Sequence, residues 1–188
     1  ARTIGELCEG QILELQSTYK PSRTQESYEQ SIAGKTASLL STACRIGGLT
    51  GGLERHTVDQ LTTFGHTYGM AFQIVDDILD VIASEDQLGK PAGNDLIEGV
   101  YTLPVLLALE SDVGEQLQEL LGKELSTDER DRALSLIRST GAVEEAFTRA
   151  QFWAQKAKLE LESLPSSPAT NALSAATNHL LDRAQSAS

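Results

Sequence analysis

Hydrophobic residues recur every three or four positions along most of the chain, which is the spacing of a helix with one buried face. This pattern predicts helices at about residues 3–18, 25–33, 37–49, 57–83, from 102 onward, 126–138, 142–163 and 170–184. No segment shows the sustained polar and apolar alternation that is typical of a strand, and no internal repeat is visible. We therefore predict an all-α fold built as a bundle of helices.

Residues that start, stop or interrupt helices mark the boundaries of these segments. Gly34 is expected to interrupt the second helix, and the glycines within 47–52 are expected to form a loop. Thr57–Gln60 and Ser126–Glu129 have the spacing of a capping box, so a helix should start at each of them. The segment 84–94 contains two glycines and a proline, and it should form a loop after the longest helix.

The composition is that of an acidic globular protein whose length suggests one domain. The 188 residues carry 27 acidic and 15 basic side chains, for a formal net charge of −12. A nucleic-acid binder needs a positive surface, so nucleic acid is not an expected partner. No apolar run is long enough to span a bilayer, no signal core is visible, and we expect a cytoplasmic protein. Cys8 and Cys44 form no CxxC pair and are expected to be small buried residues of a reducing compartment.

The segment 69–83 is the most informative in the chain. Gln73, Asp76, Asp77 and Asp80 fall on one stripe of the predicted helix, and aliphatic residues occupy the rest of its circumference. Such a helix should be buried, and its carboxylates then need a cation or a wet cavity to offset their desolvation. Proteins bind Mg²⁺ through one or two carboxylates together with waters and phosphate oxygens, so the stripe indicates a magnesium site. The alternative is an acidic patch at a solvated edge of the helix.

Two lysines near this stripe extend the pattern toward a diphosphate site. Lys90 lies on a glycine-bearing loop shortly after the helix. Lys35 and Thr36 follow the expected break at Gly34, where a helix N-terminus would expose N–H donors to an anion. Each lysine alone is more typical of an ordinary surface charge. Beside metal-ready carboxylates, the two together favour a diphosphate clamp.

The order of these motifs resembles that of the trans-type isoprenyl diphosphate synthases, the polyprenyl synthetases. Residues 72–80 read FQIVDDILD and residues 89–104 read GKPAGNDLIEGVYTLP, as is usual in that family. The upstream segment 5–11, GELCEGQ, and the spacing of Tyr28 before Lys35 are similar to the same family in the right order. The resemblance implies an all-α bundle around a central cavity. It also implies that residues 1–188 are the C-terminal part of a single synthetase domain that lacks its upstream helices.

The resemblance implies a prenyltransferase of the polyprenyl or geranylgeranyl diphosphate synthase type. Such enzymes join an allylic diphosphate to isopentenyl diphosphate, and Mg²⁺ assists the loss of diphosphate. Carried over position by position, the residues that would hold the allylic diphosphate are Lys35, Thr36, Gln73 and Lys90. The residues of the second aspartate-rich motif would bind the metal, with Asp76 as the leading ligand, Asp77 and Asp80 completing the motif, and Asp95 supporting it. The expected assembly is a homodimer or a complex with a longer chain.

Two departures from the family pattern bear on activity. The family has an earlier aspartate-rich motif, whereas this chain has no other DDxxD, and Val100 stands where a lysine is usual. We therefore expect this chain alone to be inactive. Three hypotheses remain open: the downstream part of a prenyl elongation enzyme, a non-catalytic partner subunit of a heteromeric synthase, and an unrelated acidic bundle whose DDxxD is incidental.

Overall fold

The computed structural model describes residues 1–83 and 92–187, and throughout these ranges the regular structure is helical. The prediction of an all-α fold is thus confirmed. The helices, numbered in chain order, are α1 (Arg2–Gln16), α2 (Gln25–Ile32), α3 (Ser38–Thr50), α4 (Arg55–Ile82), α5 (Asn94–Ile97), α6 (Leu103–Leu109), α7 (Gly114–Leu120), α8 (Thr127–Arg138), α9 (Ala142–Glu162) and α10 (Pro168–Ala187). A π-helical segment, Ala33–Ala37, joins α2 to α3.

Helix α4 is the central element, and α3 and α9 are its main neighbours. Its aliphatic residues are buried on several sides, which confirms that this nearly all-apolar helix belongs to the core. Small residues let the flanking helices approach closely, because a Cβ at Gly65 would lie only 2.5 Å from the Leu40 carbonyl oxygen of α3. On the other side, α9 presents a row of buried alanines to the core: Ala142, Ala146, Ala150, Ala154 and Ala157. The functional motif is therefore carried by the most firmly packed helix described.

The expected break at Gly34 is wrong, because the helix continues from α2 into α3 through the π-helical segment. Gly34 instead serves a close helix crossing: a Cβ there would lie 2.6 Å from the Glu6 carbonyl oxygen and 3.0 Å from the Gly10 Cα of α1. Glycine is needed at position 34 because the backbone of α1 lies against it. The π-helical turn keeps the backbone helical through this position. Lys35 and Thr36 therefore lie within a continuous helix and not at a helix N-terminus.

Several predicted boundaries hold and others shift. The capping box of Ser126 and Glu129 is present at the start of α8, as predicted. The one expected at Thr57–Gln60 is wrong, because α4 begins two residues earlier at Arg55 without a side-chain cap. Gly47 and Gly48 belong to α3, so only the second glycine pair lies in the loop. Helices α5 and α7 were not predicted. Helix α5 has too few residues for a periodic pattern, and α7 follows Val113, which is not a capping residue type.

The cysteine prediction fails for Cys8, which is exposed, while Cys44 is half-buried. Cys8 lies on the same side of α1 as Ile4 and Ile12, and both isoleucines are also exposed. The apolar face of α1 therefore has no covering element within the described chain. A cavity of about 790 Å³ opens between α1, α3 and α4, next to Gly34. Within the described ranges, each helix is too short or too polar to cross a bilayer.

Candidate functional site

The contact between the π-helical segment and α4 brings two of the expected site residues together. Thr36 Oγ1 donates a hydrogen bond to Gln73 Oε1 at 2.7 Å, and both side chains are partly exposed. The contact depends on small residues, because a Cβ at Gly69 would lie 2.6 Å from the Cα of Ala37. Close packing of the two backbones thus places the hydroxyl beside the amide.

A chain of hydrogen bonds continues from Gln73 into the core. Gln73 Nε2 donates to Asp77 Oδ1 at 2.9 Å, which is an i, i+4 contact along α4. The hydroxyl of Tyr28, on α2, donates to the other oxygen, Asp77 Oδ2, at 2.5 Å. One continuous hydrogen-bond network therefore runs from the surface to the core through Thr36, Gln73, Asp77 and Tyr28. We call it the Gln73 network.

Burial is the largest influence on the pKa values of Asp77 and Tyr28, at the inner end of the Gln73 network. It raises the pKa of the Asp77 carboxyl well above its usual range; the charge of Asp95 adds to the shift, and the hydrogen bonds from Tyr28 and Gln73 oppose it. Burial and the neighbouring Asp77 also raise the pKa of the Tyr28 hydroxyl well above its usual range. Tyr28 therefore keeps its proton near neutral pH and can donate a hydrogen bond to Asp77.

The three aspartates of the motif share a stripe but differ in their surroundings. Asp76 is exposed to solvent and accepts no hydrogen bond from the described residues. Asp77 is only 4% exposed and is bonded on both oxygens, as described above. Asp80 is 5% exposed, and its Oδ2 accepts a hydrogen bond at 3.2 Å from the backbone N–H of Asp95. The structure thus corrects the argument that only a cation or a wet cavity could compensate these carboxylates, because protein donors reach two of them.

These surroundings define what kind of metal site the residues fit. In the described part of the chain, no group of three or more His, Cys, Asp or Glu side chains is arranged to hold a metal ion. Asp76 is the one carboxylate of the motif that solvent reaches. A single carboxylate completed by waters and phosphate oxygens is a ligand set that Mg²⁺ accepts. The residues therefore fit one hydrated ion shared with a phosphate-bearing ligand, and they do not form a three-carboxylate cage.

The two lysines of the predicted clamp differ in what the structure says of them. Lys35 Nζ lies 2.6 Å from Glu14 Oε1 of α1, and the two side chains are 39% and 14% exposed. Lys35 is thus part of an ion pair that is partly shielded from solvent, and an anion would compete with Glu14 for it. Lys90 lies outside the described residues. Asp95 is half-buried at the start of α5, where its backbone contacts Asp80.

Sequence reasoning noted Tyr28 only as a spacing marker and missed Arg23 altogether. Arg23 is buried, with Nη1 donating to the Tyr101 carbonyl oxygen at 3.0 Å and Cζ 5.5 Å from the centre of the Tyr28 ring. Burial lowers the pKa of its guanidinium from the usual value. The arginine therefore holds one face of the tyrosine that supports Asp77. The only sequence signal was a basic residue just after a proline turn, which is too common to be informative.

Comparison with known proteins identifies the family to which the chain is similar. The family described as polyprenyl synthetase matches residues 1–137. Component 2 of heptaprenyl diphosphate synthase from Geobacillus stearothermophilus is 38% identical over 92% of this chain and 54% of its own length. The corresponding component from Bacillus subtilis is 33% identical over 96% of this chain and 52% of its own. The chain thus spans about half the length of the curated relatives it matches.

The fold of the chain is also similar to that of solved polyprenyl synthase structures. A polyprenyl synthase from Caulobacter crescentus, whose crystal structure holds calcium and isoprenyl diphosphate, superposes with a TM-score of 0.91 at 32% identity. The match covers 97% of this chain and 57% of the Caulobacter protein. Heptaprenyl diphosphate synthase from Staphylococcus aureus superposes with a TM-score of 0.90 at 30% identity. The helical fold, the motif on α4 and these matches together show that the chain belongs to the polyprenyl synthetase family.

Proposed function

We propose that this chain is the downstream part of a prenyl elongation enzyme, which condenses an allylic diphosphate with isopentenyl diphosphate and releases diphosphate. One observation carries the proposal. The Thr36–Gln73 pair lies one helical turn from the solvent-open carboxylate of Asp76, so anion donors and a metal ligand share a face of α4. The same arrangement of motifs belongs to a family in which the Caulobacter relative binds calcium and isoprenyl diphosphate.

The proposed roles follow from the chemistry of each side chain. Asp76 would hold Mg²⁺, which when bound supplies positive charge toward the diphosphate leaving group. Gln73 and Thr36 would hydrogen-bond the diphosphate of the allylic substrate, and Lys35 and Lys90 would contribute positive charge to it. In the reaction the allylic C–O bond breaks, the isopentenyl double bond forms the new C–C bond, and a proton leaves the isopentenyl unit.

We propose that this active site is completed by helices outside the chain. One open carboxylate can hold only part of the positive charge that a diphosphate needs. The curated relatives are about twice as long as the matched region. The uncovered apolar face of α1 includes Ile4, Ile12 and Leu15, and it is a natural contact for such helices. They would belong to a longer chain or to a partner, including the second copy of a homodimer.

A second candidate function is that of a partner subunit in a heteromeric synthase. The observation that favours it is the designation "component 2" of the Geobacillus and Bacillus relatives, which describes one part of an assembly. In this alternative the protein binds a second protein, and the Gln73 network has no catalytic role.

The two candidates separate in an assay with labelled isopentenyl diphosphate, an allylic diphosphate and Mg²⁺, followed by extraction of apolar product. The chain alone should give no product. A chimera in which the upstream half of the Geobacillus relative precedes this chain should give metal-dependent product. A folded chimera without activity would favour the partner-subunit candidate. Product from the chain alone would mean that these residues contain a second metal site.

A further inference from the structure

We infer that Tyr28 and Asp77 are positioning residues, which fix the orientation of the Gln73 side-chain amide so that one of its N–H groups faces a bound diphosphate. The inference deepens the proposed function and rests on it. It gives Asp77 a role different from that of a metal ligand, and it gives Tyr28 a role that the sequence did not suggest.

The two ends of the Gln73 amide have partners of opposite character. The carbonyl oxygen, Oε1, accepts the hydroxyl proton of Thr36 at 2.7 Å. The nitrogen, Nε2, donates to Asp77 Oδ1 at 2.9 Å. A flipped amide would place its oxygen against a carboxyl oxygen of Asp77, whereas the Thr36 hydroxyl, which can donate or accept, fits either orientation. The Asp77 contact therefore selects the orientation in which Nε2 faces the carboxyl and Oε1 accepts from Thr36.

The orientation leaves one hydrogen of Nε2 without a protein partner in the described chain. An amide nitrogen has two hydrogens, and the Asp77 contact uses one of them. Gln73 is partly exposed, so an anion can reach this second hydrogen from the solvent side. Thr36 already directs its own proton to Gln73, which makes the amide the principal neutral donor of the pair.

The residues behind Gln73 cannot themselves touch a ligand. Tyr28 is 1% exposed and Asp77 is 4% exposed, so both act only through the groups in front of them. Tyr28 donates to Asp77 Oδ2 at 2.5 Å and thereby stops the carboxyl from turning away from Gln73. Arg23, stacked 5.5 Å over the Tyr28 ring, holds the tyrosine from behind. Each group thus supports the next one: Arg23 holds Tyr28, Tyr28 holds Asp77, and Asp77 orients Gln73 toward the ligand.

Binding of inorganic pyrophosphate with Mg²⁺ to the chimera, in which the upstream half of the Geobacillus relative precedes this chain, tests this order when it is measured by calorimetry. Tyr28→Phe should weaken binding about tenfold, the effect of losing roughly one hydrogen bond. Gln73→Ala should also weaken it, and Tyr28→Phe should have no further effect in the Gln73→Ala background, because tyrosine acts through glutamine. A purely structural role of Tyr28 would instead weaken binding further in both backgrounds.

Two matched controls separate positioning from general destabilisation. Tyr101 is also fully buried, but its hydroxyl accepts a hydrogen bond from the Gly122 N–H, away from Gln73. Tyr101→Phe should lower the melting temperature without weakening pyrophosphate binding. Asp77→Asn keeps an acceptor for Gln73 and should weaken binding less than Asp77→Ala does. Circular dichroism of each variant verifies that the helices are intact.

The outcomes distinguish this inference from the function on which it rests. Unchanged affinity of Tyr28→Phe, or an additive loss in the double variant, would overturn the positioning role while leaving the diphosphate site in place. An equal loss in Asp77→Asn and Asp77→Ala would also overturn it, since that is the behaviour of a metal ligand. Absence of any pyrophosphate binding to the wild-type chimera would overturn the proposed function, and the inference with it.

Discussion

At the scale of single residues, the three aspartates of α4 differ in solvent exposure and in hydrogen-bond partners, and these differences suggest different roles. Asp76 faces solvent, whereas Asp77 and Asp80 are engaged by the Tyr28 hydroxyl, the Gln73 amide and the backbone of Asp95. A metal ion approaching from solvent reaches Asp76 first, and it breaks no hydrogen bond to the described residues. Asp76 is therefore the carboxylate on which the metal-dependent step should depend most.

In a complete synthase, Asp76→Ala should lower kcat by about a hundredfold or more, with little change in the KM for isopentenyl diphosphate. Under the proposed function the carboxylate would hold the metal that stabilises charge as diphosphate leaves, so its loss should raise the barrier more than it weakens ground-state binding. Asp80→Ala should be milder, because one oxygen of Asp80 already serves the backbone of Asp95. Steady-state kinetics on both variants provide the measurement, and near-wild-type kcat for Asp76→Ala would remove the metal role.

The stripe of carboxylates was predictable from sequence, but their different environments were not. Helical spacing alone places Gln73, Asp76, Asp77 and Asp80 on one side of α4. The donors that distinguish Asp77 come from Tyr28, which is 49 residues away, and from a glutamine whose amide oxygen accepts a hydrogen bond from Thr36. Such contacts depend on how α2 and the π-helical segment pack on α4, and periodicity contains no information about this packing.

At the scale of elements, the π-helical segment is the feature that positions Lys35 and Thr36. It lies where α1 crosses at glycine, since Gly10 and Gly34 are in backbone contact. The extra residue in the turn rotates the following helix relative to α2, and π-turns of this kind are frequent at functional sites. The crossing therefore links the packing of α1 to the position of the Thr36 hydroxyl beside Gln73.

Gly34→Ala should destabilise the chain by about 2 kcal/mol, because the new methyl group would meet backbone atoms that cannot move aside. Gly47→Ala is the matched control, since a Cβ at this helical glycine meets nothing within 4 Å. That substitution should stabilise the chain by about 0.5–1 kcal/mol through helix propensity. Urea unfolding of both variants provides the measurement. Equal effects of the two substitutions would contradict the close crossing at Gly34.

The helices themselves illustrate what a sequence pattern can and cannot predict. The capping box at Ser126 was found because its side-chain contacts are local, within four residues. The same spacing at Thr57 was misleading, because packing of α4 against α3 and α9 stabilises a helix that starts earlier at Arg55. Gly34 was misinterpreted for a similar reason: its meaning comes from α1, more than twenty residues upstream.

At the scale of the whole molecule, the chain is a family member that spans about half the length of the curated relatives it matches, and under the proposed function it contributes only part of the site. Its acidic character, with a net charge of −12, means that a diphosphate requires metal or lysine charge before it can bind. The family was predictable from sequence because the motif residues and their order are local features. The ion pair of Lys35 with Glu14 and the uncovered face of α1 were not, since both depend on the way helices associate.

The most direct test of the central claim, that α4 presents a metal-dependent diphosphate site, is the melting temperature of the chimera with Mg²⁺ and inorganic pyrophosphate. At about a hundredfold excess over Kd, ligand binding should raise the melting temperature of the wild type by roughly 5–10 °C, and neither component alone should do so. Asp76→Asn should abolish the shift. Asp112→Asn, at another exposed aspartate outside the site, should retain it. No shift in the wild type at saturating concentrations, or an equal shift in Asp76→Asn, would contradict the account.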